Sequence, residues 1–405
     1  MGSRALLVLV SVLATAVTLS ACGGSSNKSS TSGSTSGAVA FKVPNLPMKS
    51  SVGAGEGHLS VICWAGYCED GSTDPKVNWV KPFEKQTGCQ TTVKVANTSD
   101  EMVTLMRTGQ YDGVSASGNA SVKLIAGGDV VPIDTKLLNN WAELSPTVKL
   151  QNYNSAGGKM YGAPHGYGAN LLMWRTDKVS PAPPTQNWSA VFNPNSPYKG
   201  KLTAYDDPIY IADAALYLRN TKPALGITNP YELTQKQFDA SVALLKQQRK
   251  QIGQYWSDYT KEQAAFAQGD SVLGTTWQVI TNLLLADKVK VKAVLPAQGA
   301  TGWSDTWMLS SKAKHPNCMV KWMNWMESPK VQAQVAEWFG EAPANPQACS
   351  HTTDKTFCDT YHVNDPAYYK KVYFWATPTR NCRDKRGNTC VDYSQWVQAW
   401  TTIKG

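Results

Sequence analysis

Short runs of β-branched and aromatic residues alternate along the chain with segments whose apolar residues recur at helical spacing. In the first part of the chain this pattern predicts strands at residues 58–64, 91–96 and 111–115 and helices at residues 75–86, 99–107 and 122–126. Ser99 is the expected N-cap of the second helix. Strands that alternate regularly with helices are typical of an α/β fold.

A glycine-punctuated stretch at residues 160–168 predicts a strand that crosses from one lobe to another. Beyond it, the pattern predicts strands at 171–174 and 289–296 and helices at 208–219, 238–251 and 261–268. Residues 303–310 then predict a return path to the first lobe. The predicted fold class is therefore α/β, with two lobes joined by a hinge.

The start of the chain predicts export. Arg4 precedes a short apolar run that ends in Leu19-Ser20-Ala21-Cys22, which is too short and too poorly flanked for a spanning helix. This tetrapeptide resembles the lipobox of bacterial lipoproteins, so we expect a signal peptide at residues 1–21 and lipidation of Cys22. Cleavage without lipidation is the alternative. Residues 22–56 begin with an almost pure Gly, Ser and Thr segment, which predicts a flexible tether.

Composition and charge narrow the class of protein. The 405 residues include 42% hydrophobic residues, 15 Trp and 17 Tyr, so the chain can bury a large core and is not globally disordered. The formal charge of +9 is scattered without a long basic block, which argues against nucleic-acid binding.

The cysteine count predicts disulfides. Nine cysteines minus Cys22 leave eight, at positions 63, 68, 89, 318, 349, 358, 382 and 390. In an exported chain this even number predicts four disulfides, and short polar spans favour the pairs Cys349 with Cys358 and Cys382 with Cys390. The pairing among Cys63, Cys68, Cys89 and Cys318 stays open. Zinc is the alternative, but no C-x2-C occurs and the five histidines lack ligand spacing, so we expect no metal and no cofactor.

An ordered series of short segments resembles one known family. These segments are residues 82–88, 99–102, 111–112, 128–134, 159–164, 199–207 and 341–345. Their order and separations resemble the spermidine/putrescine-type solute-binding proteins of ABC importers over roughly residues 57–345. The resemblance implies a bilobal periplasmic-binding-protein fold that holds its ligand in the cleft between the lobes and delivers it to a membrane permease.

The resemblance also implies a domain organisation. Lobe 1 is expected to comprise residues 57–165 and 303–345, and lobe 2 residues 166–302. The Cys-rich segment 346–405 is expected to pack on lobe 2. We expect a monomer that is exported and held on the outer face of the bacterial cell membrane by its lipid anchor.

The implied ligand is a small cationic amine, whose site needs carboxylates for ammonium groups and aromatic faces for methylenes. The resemblance carries the family's binding positions to Trp64, Tyr67, Ser117, Asp207, Trp277, Trp303 and Asp305. Three departures matter. Tyr210 stands where polyamine binders have a second acidic residue, and Asn119 where they have a tyrosine. Glu341 replaces a further tyrosine, so we include it as a relocated carboxylate.

Other interpretations stay open for several of these residues. Asp207 precedes Pro208 and could serve only as a helix N-cap. Trp64 could close the edge of a lobe, and Trp277 could belong to the core. The ligand could be another polar solute, such as a betaine, an amino acid or a sugar.

Two other classes of protein compete with a receptor: a surface adhesion or scaffold protein and an enzyme. A surface adhesion or scaffold lipoprotein would explain the anchor and the disulfides without a ligand. Enzyme motifs are weak: no G-x-S-x-G, P-loop or G-x-G-x-x-G follows a strand, and the S-x-x-K at Ser311–Lys314 lacks its S-D-N and K-T-G companions. We therefore expect no enzymatic activity.

Overall fold

The computed structural model describes residues 43–181, 187–384 and 386–405. The strands are β1 (His58–Cys63), β2 (Gln90–Val95), β3 (Gly113–Ser117), β4 (Ser155–Ala156), β5 (Lys159–Met160), β6 (Gly162–Ala169), β7 (Leu171–Arg175), β8 (Leu202–Tyr205), β9 (Ile252–Trp256), β10 (Leu273–Thr276), β11 (Val291–Val294), β12 (Ala300–Leu309), β13 (Ala342–Pro343) and β14 (Val372–Phe374).

The α-helices are α1 (Val80–Thr87), α2 (Ser99–Arg107), α3 (Gly118–Gly127), α4 (Ser189–Phe192), α5 (Ile211–Thr221), α6 (Gln235–Arg249), α7 (Tyr259–Gln268), α8 (Gln278–Ala286), α9 (Pro316–Met326), α10 (Pro329–Phe339), α11 (Phe357–Thr360), α12 (Pro366–Tyr369) and α13 (Tyr393–Lys404). Short 3₁₀ helices lie at Thr135–Leu137, Pro208–Tyr210, Pro223–Leu225 and Pro346–Ser350.

Two mixed sheets form two lobes. The larger sheet, in lobe 1, has the strand order β13-β6-β12-β3-β1-β2, and β14 also pairs with β12. Helices α1 and α9 cover one of its faces through a core that includes Phe83, Trp307 and Trp322. The smaller sheet, in lobe 2, has the order β11-β7-β10-β8-β9. Its largest core joins α5, α6 and α13, so these helices cover an apolar face of the smaller sheet.

The chain crosses between the lobes at the ends of β6 and β12. β6 belongs to the larger sheet and β7 to the smaller one, so the first crossing is at Asn170. The second lies between β11 and β12, at residues 295–299. The boundaries expected at 165/166 and 302/303 therefore fall inside β6 and β12, because each strand continues its ladder past those positions.

A buried polar network holds the two crossings together. The Asn170 side-chain amide donates to Thr301 Oγ1 at 2.6 Å, and the Thr301 hydroxyl donates to Asp213 Oδ1 at 2.8 Å. The backbone N–H of Asn170 also donates to the Thr301 carbonyl at 2.9 Å. Burial raises the pKa of Asp213 to about 7. The crossings thus form one hydrogen-bonded hinge.

Most predicted elements are present with shifted ends. α1 begins at Val80 rather than at residue 75. The cap of α2 is Thr98 rather than Ser99, because the Thr98 hydroxyl accepts the Glu101 N–H at 3.1 Å while Ser99 is already helical. β3 begins at Gly113, two residues beyond the predicted start.

The amino-terminal segment differs from the predicted tether where it is described. The predicted signal peptide, Cys22 and the first part of the predicted tether lie outside the described residues. Residues 43–56 dock on lobe 1: the Lys49 N–H donates to the Pro132 carbonyl at 2.8 Å, and Glu56 accepts the N–H groups of Asn317 and Cys318, each at 2.9 Å. These hydrogen bonds fix a stretch that composition alone left flexible.

Four disulfides join the eight cysteines. The pairs are Cys63–Cys68, Cys89–Cys318, Cys349–Cys358 and Cys382–Cys390. The two local pairs that the spacing favours are both present in this set. Cys89–Cys318 is the long-range one, with a sequence separation of 229, and it links the end of α1 to α9.

The carboxy-terminal segment packs on both lobes, rather than on lobe 2 as expected. Phe357, Tyr361 and Tyr369 enter a core with lobe 1 residues such as Tyr167. Trp396, Trp400 and Ile403 of α13 enter the main core of lobe 2. The split arises because the segment first pairs with lobe 1, through β14 and β12, and only then packs α13 against lobe 2. Across the described ranges, no helix combines the length and apolar character needed to cross a membrane.

Candidate functional site

A cavity of about 270 Å³ lies between the lobes. Lobe 1 lines it with Trp64, Ser117 and Asp305, among others, and lobe 2 with Tyr205, Trp277 and residues 257–260. Seven of its fifteen lining residues are aromatic, and none of the described ones is Lys, Arg or His. A concave, mainly apolar space with a few directed polar groups is the usual form of a small-molecule site.

Asp305 is the buried carboxylate at the inner end of this cavity. It lies on β12 directly opposite Ser117 on β3, and it is only 2% exposed. The Ser117 hydroxyl donates to Asp305 Oδ1 at 2.5 Å, and the Tyr67 hydroxyl donates to Oδ2 at 2.7 Å. Burial raises the pKa of Asp305 to about 6, although both hydrogen bonds oppose that rise. The carboxylate is therefore ionised at neutral pH, but at a cost in solvation.

Tyr67 connects Asp305 to a second buried carboxyl group. The Tyr67 oxygen lies 2.5 Å from Glu341 Oε2 as well as 2.7 Å from Asp305 Oδ2. One phenolic proton cannot serve both contacts, so one carboxyl must carry a proton of its own. Burial raises the pKa of Glu341 well above its ordinary value; the hydrogen bond with Tyr67 opposes that rise, and the charge of Asp305 adds to it. Protonated Glu341 donates to Tyr67, which donates to Asp305.

The nearby histidine adds no positive charge to this network. His165 Nε2 lies 3.6 Å from Glu341 Oε1, and burial lowers the pKa of His165 to about 3. A neutral imidazole at neutral pH leaves the negative charge of Asp305 uncompensated. The inner end of the cavity is thus suited to a cation.

The aromatic walls are fixed by specific contacts. The Trp277 and Trp303 rings meet edge to face with centroids 6.1 Å apart, and the Trp277 indole N–H donates to Asn170 of the hinge at 2.9 Å. Trp303 pairs across the ladder with Gly168, where a Cβ would lie 2.8 Å from the indole ring. Glycine at this position in β6 therefore makes room for Trp303.

A disulfide shapes the opposite wall. β1 ends at Cys63, and the bond to Cys68 closes the short loop that carries Trp64 and Tyr67. Trp64 faces the cavity, whereas Tyr67 is fully buried behind Asp305. The Trp79 indole N–H donates to the Tyr67 carbonyl at 2.9 Å, which fixes the loop further.

Five of the eight residues implied by the resemblance line the cavity, and three do not. Trp64, Ser117, Trp277, Trp303 and Asp305 surround it. Tyr67 and Glu341 lie behind Asp305 and orient it.

Asp207 is placed differently. It caps the 3₁₀ helix Pro208–Tyr210, with Oδ1 accepting the Ile209 N–H at 2.8 Å, and it is absent from the described cavity lining. This geometry is that of a helix N-cap, the alternative interpretation of Asp207. Pro208 occupies the first helical position, and the carboxylate accepts the free N–H of Ile209 that follows it.

The cavity also contains residues that the sequence did not suggest. Tyr205, Asp258, Phe339 and Trp375 all line it. Tyr205 ends β8 just before Asp206, and Phe339 ends α10 two residues before Glu341, so both are close in sequence to suggested positions. Trp375 lies beyond the segments that carried the resemblance and left no local signal.

Among the described residues, no three His, Cys, Asp or Glu side chains come together in a way that could hold a metal ion.

The proteins similar to this chain include the following two curated relatives and two solved structures. The spermidine/putrescine-binding periplasmic protein of Escherichia coli is 25% identical over 304 residues, covering 71% of this chain and 82% of that protein. The putrescine-binding periplasmic protein SpuD of Pseudomonas aeruginosa is 25% identical over 371 residues, covering 85% and 91%.

The solved structures support the fold. A putative spermidine/putrescine ABC transporter from Listeria monocytogenes superposes with a TM-score of 0.69 at 18% identity, covering 86% of this chain and 99% of that one. The spermidine/putrescine ABC transporter substrate-binding protein PotD of Streptococcus pneumoniae gives 0.66 at 18% identity, with the same coverage. The predicted bilobal periplasmic-binding-protein fold is confirmed.

The family follows from the sequence match. The pattern of the family described as bacterial extracellular solute-binding protein matches residues 78–357, which is more than half of the chain. Together with the two-lobed fold and the enclosed cavity between the lobes, this match places the chain: it belongs to the family of bacterial extracellular solute-binding proteins.

Proposed function

We propose that this chain is the receptor of an ABC importer that captures a small cationic amine in the cavity between its lobes and delivers it to the permease. The relatives named for spermidine and putrescine support the class of ligand. The observation that carries the proposal is Asp305, a buried carboxylate that faces a cavity walled by aromatic rings.

The physical match is between one fixed charge and several π faces. An ammonium group beside Asp305 forms a charge-assisted contact in a space where water screens weakly. The faces of Trp277 and Trp303 add cation–π attraction and cover the apolar part of the ligand. Ser117 and Tyr67 hold the carboxylate in place before the ligand arrives, which lowers the entropic cost of binding.

The proposal includes no catalytic step. The receptor acts as a monomer, without cofactor or metal, and hands its solute to the membrane partner unchanged. Its place is outside the cytoplasm, anchored through acylated Cys22 to the outer face of the cell membrane. The Leu19-Ser20-Ala21-Cys22 sequence supports the anchor.

Binding of a cationic amine is tested first by thermal shift and titration calorimetry. We expect an ammonium compound, but no sugar, to raise the unfolding temperature of the purified full chain, because a ligand that binds the folded state stabilises it by mass action. Trp303→Ala should weaken this binding by about 1–2 kcal/mol, through lost cation–π and apolar contact.

A matched control uses an exposed tryptophan. Trp338 lies outside the described cavity lining and is 40% exposed, so Trp338→Ala should leave the affinity unchanged. Tight binding of a neutral sugar with no binding of any amine would contradict the proposed ligand class. No response to any solute would contradict the receptor function itself.

The lipid anchor has its own test. Mass analysis of the native protein should find a diacylated or triacylated amino terminus at Cys22, and Cys22→Ala should release the protein from the membrane fraction, since acyl chains provide the proposed attachment. Ser20→Ala, which keeps the cysteine, is the control. A Cys22→Ala protein that stays fully membrane-bound would refute the anchor.

A further inference from the structure

A carboxy-terminal segment runs from the hinge region of lobe 1 to lobe 2. We call residues 375–392 the strap; its described part links β14 of the larger sheet to α13 on lobe 2. The Trp375 N–H donates to the Gly302 carbonyl at 2.6 Å, which continues the pairing of β14 with β12. At its other end, the Val391 N–H donates to the Leu233 carbonyl at 2.8 Å in lobe 2.

The strap lies tightly against the start of α3. A Cβ on Gly118 would lie only 1.8 Å from the Trp375 carbonyl oxygen, so this approach requires glycine. The Thr377 hydroxyl donates to the Asn119 carbonyl. The strap is therefore a third connection between the lobes, and it lies beyond the residues 78–357 that match the family.

Trp375 of the strap forms one wall of the cavity. Its side chain is 2% exposed and lines the cavity, where it stacks on Tyr205 with centroids 5.1 Å apart and planes 25° apart. Tyr205 in turn contacts Trp277 at 5.7 Å. One row of rings thus runs from the strap to the wall made by lobe 2.

On the side of Asp207, a cation of the chain itself is already paired. Lys123 Nζ lies 2.5 Å from Asp100 Oδ1 and 3.7 Å from the centroid of the Tyr393 ring, the first residue of α13. Asp207 is on the same side: burial raises its pKa to about 7, while the charge of Lys123 acts in the opposite direction. A carboxylate, an aromatic ring and an ammonium group are already paired there.

What remains for a ligand is a single compartment. Asp305 is its one buried carboxylate among the described lining residues, and the second lining carboxylate, Asp258, is exposed at the rim. Asp258 is occupied as the cap of α7, where Oδ1 accepts the Thr260 N–H at 2.9 Å and the Thr260 hydroxyl at 2.8 Å. An exposed carboxylate contributes little to pairing.

The polar groups at the inner end also limit the kind of cation. A primary ammonium group has three N–H donors to satisfy, whereas each oxygen of Asp305 already accepts one hydrogen bond and has about one lone pair left. A fully alkylated ammonium group has no N–H to satisfy, and an enclosure of aromatic faces is its usual site. A second ammonium group on an extended ligand would meet Trp and Tyr faces or the exposed carboxylate of Asp258, but no second buried carboxylate among the described lining residues.

From this arrangement we infer that the strap makes the receptor selective for a compact monocation with an alkylated ammonium head, rather than for an extended diamine or triamine. Trp375 is the specificity-determining residue of the strap. This inference rests on the proposed function, since it specifies the ligand of the same cavity.

The test compares defined probes by titration calorimetry on the full chain at neutral pH. We expect tetramethylammonium or choline to bind at least tenfold more tightly than 1,4-diaminobutane or spermidine. Trp375→Ala should weaken binding of the quaternary probe by about tenfold and reduce its preference over the diamine. Tighter binding of the diamine or spermidine to the wild-type chain would overturn the inference.

A second variant covers the case in which Trp375→Ala fails to fold. Lys123→Met removes the internal cation outside the compartment, so affinity for the quaternary probe should stay within about twofold. A loss of tenfold or more would place the ligand on the Asp207 side and overturn the inference. If no ammonium compound binds but a neutral solute does, the proposed function fails; if amines bind with the diamine preferred, only the present inference fails.

Discussion

Replacing Asp305 with asparagine is expected to weaken binding of a cationic ligand by on the order of 100-fold, about 3 kcal/mol. The substitution keeps the size and most hydrogen bonds of the side chain but leaves the cation in an enclosed aromatic space without its counter-charge. Titration calorimetry measures the loss directly. The folded state should not lose stability, because the buried charge that is removed costs solvation energy.

The same carboxylate predicts a pH dependence of binding. With the pKa of Asp305 at about 6 in the free protein, the ionised form declines as pH falls below that value, and affinity should fall about tenfold for each further pH unit. Asp305→Asn should show no such decline. The stability of the folded state depends on pH in the opposite sense. Because the pKa of Asp305 is raised in the folded state, the contribution of Asp305 to stability is lost as pH rises from about 4 to about 6.

Asp207→Asn is the matched control. It changes a partly buried aspartate that the structure places at the start of a 3₁₀ helix, so it should cost about 1 kcal/mol of stability or less and leave affinity unchanged. A strong loss of binding in Asp207→Asn together with normal binding in Asp305→Asn would reverse the assignment of the two carboxylates.

Removal of the long-range disulfide is expected to have the largest effect on stability. Cys89→Ala/Cys318→Ala should lower the free energy of unfolding by about 5 kcal/mol, since this bond closes a loop with a sequence separation of 229 and so restricts the unfolded chain most. Denaturant unfolding under non-reducing conditions gives the value.

The local disulfide within the strap provides the comparison. Cys382–Cys390 has a sequence separation of 8, for which the same entropy argument gives about 2–3 kcal/mol. A reductant should destabilise the wild-type protein but change the Cys89→Ala/Cys318→Ala variant less. Equal losses in the two double variants would show that loop length does not govern these bonds.

How far the sequence predicts this site depends on the range of the contacts that build it. Trp303 and Asp305 could be predicted, because one strand carries both and alternation directs both to the same face. Trp64 and Tyr67 follow the first strand within one short loop, although the sequence did not separate the cavity-lining residue from the buried one.

Long-range pairing explains what was missed. Trp375 reaches the cavity only because β14 pairs with β12, more than sixty residues earlier in the chain, and no local pattern marks that pairing. Asp207 was ambiguous for a different reason: a carboxylate before proline suits both a ligand and a backbone N–H, and burial by Tyr393 and Lys123 depends on α3 and α13 together.

Three chain connections, rather than two, govern how the lobes move. The Asn170–Thr301 crossing pair and the strap are separate attachment points, and each of them restricts relative rotation of the lobes. A receptor restrained in this way samples fewer open arrangements before its ligand arrives. Closure then costs less conformational entropy, and more of the contact energy at Asp305 and the aromatic rings appears as affinity.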